Sequence, residues 1–166
     1  MSGLDARRLR AGEVIAGASA TLLLIFMFAL TWYAVSGPLS ETLSRGLHEP
    51  TTFNGWNGLT HLHWLLLVTI VAALALTYFQ AAREGPAIPI TLSLVVTLLG
   101  GLTTVALIYR VLIKTPGHML DQRAGAYLGL VAAIGIAYGG YKSMREEGGT
   151  DPAILDIETV GLQNGP

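Results

Sequence analysis

The chain has 166 residues, of which 52% are hydrophobic and only 13% are charged, and its formal net charge is −1. An ordinary soluble domain carries about twice that share of charged residues, so the composition disfavours a water-soluble fold. The near-neutral charge offers no basic surface for nucleic acid. Because the chain contains no cysteine, disulfides, iron–sulfur clusters and cysteine-ligated zinc are excluded.

Four long apolar segments occupy most of the chain. Each reaches or approaches the ~20 residues that a helix needs to cross a hydrocarbon layer of ~30 Å. We therefore expect an all-α fold, an antiparallel four-helix transmembrane bundle in residues 1–141, followed by a flexible acidic cytoplasmic tail in residues 142–166. The predicted spans are Val14–Val35, Leu59–Ala82, Ile88–Ile113 and Ala124–Tyr141.

The arginines ahead of the first span bear on its interpretation. Arg7, Arg8 and Arg10 would also suit a secretory signal, but an apolar run of about 22 residues exceeds the core of such a signal. We therefore predict a retained first helix. Lysine and arginine favour the cytoplasmic side, and the predicted spans place six of these ten residues on the side of the termini. Both termini are expected to be cytoplasmic, with residues 36–58 and 114–123 outside.

The first span ends in Trp32-Tyr33, whose amphipathic rings favour the headgroup layer. In the outer loop that follows, leucines recur every four residues, which predicts a short amphipathic helix on the membrane or the bundle. The alternative is a plain loop. Trp56 and Trp64 are expected to complete an outer aromatic belt. The recurring leucines are Leu39, Leu43 and Leu47.

Glycines four residues apart mark the fourth span, and they let another helix backbone approach closely. We expect these contacts to form within the chain, with a self-association surface as the alternative, and we expect Leu130 to face lipid. The third span carries the pair Gly100-Gly101, expected in a close helix contact with a kink as the alternative. It also carries Arg110, expected to extend into the headgroups. The glycines predicted to pack are Gly125, Gly129, Gly135 and Gly139.

All the histidines fall on the predicted outer side. Imidazole is an ordinary ligand of zinc or copper, so these residues are the candidates for a metal site. Imidazoles that simply hydrogen-bond to water or headgroups are the alternative. His61 and His63 would point about 200° apart on a helix and could share a metal only if the helix began later. The candidates are His48, His61, His63 and His118.

No span carries an acidic or histidine residue in its middle, whereas transporters and redox carriers usually do. The chain also lacks the sequence motifs of hydrolases, metalloproteases and phosphate-binding loops. We therefore expect no catalytic residue, no bound cofactor and no enzymatic activity.

Several short motifs accompany this topology. They are Arg-Leu-Arg-Ala-Gly-Glu at 8–13, Trp-Tyr at 32–33, Asn-Gly-Trp-Asn at 54–57, Ala-Ala-Arg at 81–83, Arg-Ala-Gly-Ala-Tyr-Leu-Gly at 123–129 and Gly-Gly-Tyr-Lys-Ser-Met-Arg at 139–145. On these the chain resembles an uncharacterised family of four-span integral membrane proteins of actinobacteria. The resemblance implies a bacterial plasma membrane and brings no settled activity. The topology is also similar to that of claudins and tetraspanins, by analogy only, because their cysteines are absent.

The predicted topology, the glycine-rich helix faces and the outer histidines lead us to two candidate functions. The first is a non-catalytic interaction or scaffold protein in the membrane, whose partners are the lipid bilayer and either a second copy of the chain or another membrane protein. The second is a membrane protein that binds a metal or a small ligand at its outer face. A transporter ranks third because no buried charge is expected.

Overall fold

The computed structural model describes residues 10–35, 51–82, 90–113 and 120–148. Within these ranges the chain is mostly helical, with four long helices, one short helix and three short strands. The elements in chain order are α1 (Ala11–Ala29), β1 (Thr31–Val35), β2 (Thr52–Asn54), α2 (Gly55–Gly58), α3 (Leu62–Ala82), α4 (Ile90–Ile108), a π-helix (Tyr109–Ile113), β3 (Leu120–Gln122) and α5 (Ala124–Gly148).

The four long helices are each long and apolar enough to cross a membrane. Only 28% of the apolar window of α3, and the same share of that of α4, is buried inside the fold. Many apolar side chains of the long helices are exposed, including Leu98 and Val105 in α4 and Val131 in α5, each 64% exposed. Outward apolar faces of this extent suit lipid rather than water. The prediction of four long apolar helices, each able to cross a membrane, is confirmed.

The structure corrects the expectation of an all-α fold. The helix that the sequence predicts to run to Val35 ends at Ala29, and the chain continues at once into β1. This strand is the centre of a three-stranded antiparallel sheet in the order β2-β1-β3. The hydrophobic pattern of the sequence does not reveal this strand. The short apolar run Thr-Trp-Tyr-Ala-Val continues a helical span as readily as it forms a buried strand.

The sheet covers one end of the helix bundle, called here the sheet end. At the opposite end, called the terminal end, the start of α1 lies beside the last turns of α5, where the Gly12 N–H donates to Glu146 Oε2 at 3.4 Å. The predicted amphipathic helix at Leu39–Leu47 lies outside the described residues. The short α2 is capped by the residue before it, Asn54, whose Oδ1 accepts a hydrogen bond from the Asn57 N–H at 3.0 Å.

The most extensive helix contact joins α1 and α5, and the next joins α4 and α5. A Cβ placed on Gly139 would lie 2.5 Å from the Ala16 nitrogen and 2.8 Å from the Gly12 carbonyl oxygen. A Cβ on Gly135 would overlap the Ser19 hydroxyl. The start of α1 therefore lies beside the later part of α5, so the two helices are antiparallel. Their backbones touch.

The α4–α5 pair is also antiparallel. A Cβ on Gly100 would lie 2.8 Å from the Ala137 nitrogen, and one on Gly140 would lie 2.9 Å from the Thr97 nitrogen. Gly101, by contrast, has no atom of the described residues within 4 Å of its Cβ position. Only the first glycine of the Gly100-Gly101 pair therefore serves the helix contact that the sequence predicts for both.

Helix α3 packs on α1 and on α4. It meets α1 where a Cβ on Gly17 would lie 2.6 Å from the Thr77 hydroxyl. It meets α4 through a buried pair of hydroxyls, Thr69 Oγ1 and Thr103 Oγ1, 2.7 Å apart. The four long helices thus form a ring in the order α1, α5, α4, α3. The short link between the second and third spans predicts that α3 and α4 are neighbours, and in the ring they are.

Helix α5, the fourth predicted span, departs from the sequence prediction in two ways. It continues to Gly148, so residues 142–148 are helical rather than part of a flexible tail, and Ser143 is fully buried. The remainder of the predicted tail lies outside the described residues. Leu130 is partly buried against the core and does not face outward, whereas its neighbour Val131 does.

Candidate functional site at the sheet end

Trp32 fixes the sheet to the bundle. It is fully buried, and its indole Nε1–H donates to the Phe26 carbonyl at 2.7 Å. Three glycines make room for the ring, because a Cβ at Gly55, Gly125 or Gly129 would collide with it. The sequence places Trp32 in the headgroup layer, but the turn at Leu30 folds β1 back over the helix ends and takes the indole inside.

The predicted packing glycines therefore serve two different contacts. Gly135 and Gly139 meet α1 directly, whereas Gly125 and Gly129 accommodate the indole of Trp32. The strand also reaches the start of α5 through its backbone, since the Arg123 N–H donates to the Trp32 carbonyl at 2.8 Å. One residue of β1 thus joins the end of α1 to the beginning of α5.

Tyr33 carries a buried hydroxyl that makes no hydrogen bond within the described part of the chain. The residue pairs with Gln122 across the sheet, so the two side chains share one face. The Gln122 amide donates from Nε2 to the Val111 carbonyl at 2.6 Å, within the π-helix that also holds the half-buried Arg110. Burial raises the pKa of Tyr33, and the positive charge of Arg110 lowers it, with burial the larger effect.

Four rings form a second feature of the sheet end. Trp56 stacks on Phe28 with ring centroids 5.6 Å apart, and it lies 4.5 Å from the ring of His63 and 5.8 Å from that of Trp64. Trp64 is 57% exposed, so the cluster reaches the surface. Phe28, Trp56, His63 and Trp64 are called the aromatic cluster below.

The candidate metal ligands separate in the structure. His63 packs in the aromatic cluster, and its Nδ1 is buried and has no hydrogen-bond partner among the described residues. His61 is exposed one residue before α3 begins. Among the described residues no three histidine or acidic side chains come together to hold a metal. His48 and His118 lie outside the described residues, so the metal site stays a prediction.

A shallow surface groove of about 400 Å³ lies beside the central strand, between β1, β2 and the start of α5. Its charged residue is Arg123, which is exposed. The lining residues are Leu30, Thr31, Ala34, Thr52, Arg123, Ala124 and Gly125.

Sequence reasoning missed a buried carboxylate at the terminal end. Glu13 is 2% exposed, and its Oε2 accepts the Arg10 backbone N–H at 3.0 Å. Its backbone carbonyl accepts the Thr77 hydroxyl at 3.2 Å, which links α1 to α3. The signal was present, because a glutamate three residues after the helix cap is a known N-terminal pattern. We did not predict a buried acidic side chain here from the sequence, although Glu13 lies in the first turn of α1 and not in the middle of a span.

No protein family, curated protein or solved structure matches this chain. Its function is therefore argued from its own residues.

Proposed function

We propose that this chain is a multi-pass protein of the bacterial plasma membrane, with both termini cytoplasmic, that acts through contact rather than catalysis. Its role is that of an interaction or scaffold protein, and the sheet end is the surface that meets the partner. The observation that carries the proposal is the locked position of Trp32. A surface held in one arrangement before binding loses less conformational entropy when a partner arrives.

The use of polar groups inside the bundle supports a non-catalytic role. The buried hydroxyls of Thr69 and Thr103 bond to each other, and the Thr69 hydroxyl also reaches its own helix at the Leu65 carbonyl. The hydroxyls of Ser93 and Ser143 lie 3.3 Å apart across α4 and α5. Groups engaged in helix contacts of this kind stabilise the fold.

The aromatic cluster supports the choice of the sheet end. Tryptophan is enriched among the residues that dominate protein–protein binding energy, and Trp64 offers more than half of its surface. The partner is a second copy of the chain or another membrane protein. Its contact would cover Trp64 and the neighbouring exposed edge of the sheet.

Orientation is tested by labelling single cysteines in intact cells, since the natural chain has none. Asn57 at the sheet end and Arg145 at the terminal end are both exposed, whereas Ser143 is unsuitable because it is buried. Cysteine at Asn57 should react with an impermeant reagent from outside, and cysteine at Arg145 should not. Labelling of Arg145→Cys from outside would reverse the proposed orientation.

Contact is tested by placing a photo-crosslinking amino acid at Asn57 in living cells. A discrete adduct is expected, and it should weaken in the Trp64→Ala background. The matched control carries the crosslinker at Val131, which faces outward from the middle of α5. If Asn57 and Val131 yield the same adducts, or if Trp64→Ala leaves the Asn57 adduct unchanged, the sheet end is not the contact surface.

The alternative function, binding of a metal or a small ligand at the same face, is favoured by one observation. The Nδ1 of His63 is buried with no hydrogen-bond partner in the ranges that the structure describes, and buried polar groups normally have one. Metal analysis of the detergent-purified protein separates the two functions. Stoichiometric zinc or copper that disappears when His61 and His118 are replaced would favour the metal site, and metal-free protein that still forms the Asn57 adduct would favour contact.

A further inference from the structure

A second groove, of about 420 Å³, lies on α5 at the terminal end. Its lining residues recur at intervals of three and four along the helix, so they share one face. They combine two aromatic hydroxyls, two cations and one carboxylate. The residues are Tyr138, Tyr141, Lys142, Arg145 and Glu146.

The carboxylate of this groove is already engaged by the protein. Glu146 lies 3.9 Å from the Lys142 ammonium through Oε1 and accepts the Gly12 N–H through Oε2. Tyr138 and Tyr141 are 55% and 47% exposed, and Arg145 is exposed as well. None of these three side chains hydrogen-bonds to another residue in the described part of the chain. The groove therefore presents hydrogen-bond donors and a positive charge that have no acceptor among the described residues.

The same face of α5 changes character along its length. Val131 and Ile134 are exposed apolar residues in the middle of the helix, Tyr138 and Tyr141 follow, and Arg145 lies near the end of the apolar span, which extends to Glu146. Along this face the apolar side chains would lie beside the acyl chains of a phospholipid, the tyrosines at the interface, and the cationic side chain beside the phosphate. Tyrosine rings and basic side chains favour the corresponding layers.

We propose that this groove binds the phosphate group of an anionic phospholipid. Arg145 and Lys142 supply the charge, the hydroxyls of Tyr138 and Tyr141 donate hydrogen bonds to phosphate or ester oxygens, and one acyl chain lies along Val131 and Ile134. Guanidinium suits phosphate because its donors form a planar fork. This inference rests on the membrane location in the proposed function but is independent of any contact made by the sheet end.

The test measures lipid binding to the full chain, purified in neutral detergent, by native mass spectrometry. The probes are phosphatidylglycerol and phosphatidylcholine of identical acyl chains. We expect phosphatidylglycerol to bind more tightly, and the double variant Arg145→Gln, Lys142→Gln to lose about tenfold in affinity for it. Tyr138→Phe should lose less. The matched control is Arg123→Gln, which removes an exposed arginine just before the other end of α5 and should leave the affinity for phosphatidylglycerol unchanged.

Three results would overturn the inference. One is equal binding of the two lipids, and another is a loss in Arg123→Gln as large as that in the double variant. The third is displacement of phosphatidylglycerol by millimolar inorganic phosphate, which would assign the groove to a free anion. Thermal unfolding of each variant without lipid shows that the fold is intact, and the adduct at Asn57 reports separately on the proposed function.

Discussion

Two helix contacts of the bundle are built in opposite ways. Where α1 meets α5, glycine replaces side chains and the backbones touch, as at Gly139 and Ala16. Where α3 meets α4, the contact is less extensive and is held by the hydroxyl pair of Thr69 and Thr103. In a membrane, the hydrophobic effect does not drive helices to associate, because lipid chains are as apolar as the helix surfaces. Each contact therefore needs another source of stability, which is dispersion at close range in the first and a hydrogen bond in the second.

The contact of α4 with α5 combines close backbone packing with a pair of hydroxyl groups. Gly100 and Gly140 admit the neighbouring backbone, and Ser93 and Ser143 place their hydroxyls 3.3 Å apart. Because α5 takes part in the two most extensive helix contacts, the glycine-rich helix is the centre of the fold. We expect damage to its contacts to cost more than damage to α3–α4.

Trp32→Ala should have the largest effect. The substitution empties a fully buried site that is enclosed by the glycines of α5 and removes the bond from Nε1 to Phe26. Loss of a buried aromatic side chain typically costs ~3–5 kcal/mol. Thermal unfolding in detergent measures the loss, and Trp64→Ala is the matched control at an exposed tryptophan. Equal losses in the two variants would mean that Trp32 does not anchor the sheet.

Gly139→Leu should come next. The new side chain would meet the backbone of α1 at Ala16 and Gly12, and backbone cannot rotate aside as a side chain can. Overpacking costs ~1–3 kcal/mol, sometimes more. Gly135→Leu should cost less, since its neighbour is the movable Ser19 side chain.

The control for this pair is Gly101→Leu, which has open space at its Cβ position and should leave the free energy of unfolding nearly unchanged. The oligomeric state is measured in the same samples. If Gly139→Leu leaves monomer stability intact but abolishes an oligomer, the glycine face of α5 serves association between copies instead.

Thr69→Val should have a smaller effect. It removes the hydroxyl bond between α3 and α4 and leaves Thr103 without that partner. Interhelical hydrogen bonds in membrane proteins contribute on average ~0.6 kcal/mol, with a maximum near ~1.7. A double-mutant cycle with Thr103→Val isolates the coupling. Thr104→Val is the control, because the hydroxyl of Thr104 donates within its own helix to the Gly100 carbonyl.

Tyr33→Phe should change stability least at neutral pH and is expected to be neutral or slightly stabilising, since the hydroxyl it removes is buried and has no partner among the described residues. The effect should depend on pH. Burial raises the pKa of Tyr33, so above a pH of about 10 the unfolded chain loses a proton that the folded chain retains. The stability of the natural protein should therefore fall more steeply with alkali than that of Tyr33→Phe.

Unfolding midpoints of both proteins between pH 8 and pH 11 check this sign. A clear loss of stability in Tyr33→Phe at neutral pH would show that the hydroxyl has a partner, such as a bound water. Parallel pH profiles would show that burial of Tyr33 does not set the alkaline limit.

The sequence alone determined the four apolar helices, because a run of about 20 apolar residues has few alternatives to crossing a membrane. It also identified Gly125, Gly129, Gly135 and Gly139 as positions for close packing, since spacing by four defines one helix face. It did not distinguish their neighbours. Two of them meet α1 and two meet an indole, and only the path of the chain after Ala29 decides which.

The tertiary structure alone decided the sheet end. Residues 31–35 become a strand because 52–54 and 120–122, distant in sequence, arrive on either side to pair with them. The same pairing buries Trp32 and brings Tyr33 beside the π-helix that carries Arg110. A local pattern cannot reveal such an arrangement, because the hydrogen bonds that stabilise a strand belong to its partners, whereas those that stabilise a helix lie within its own segment.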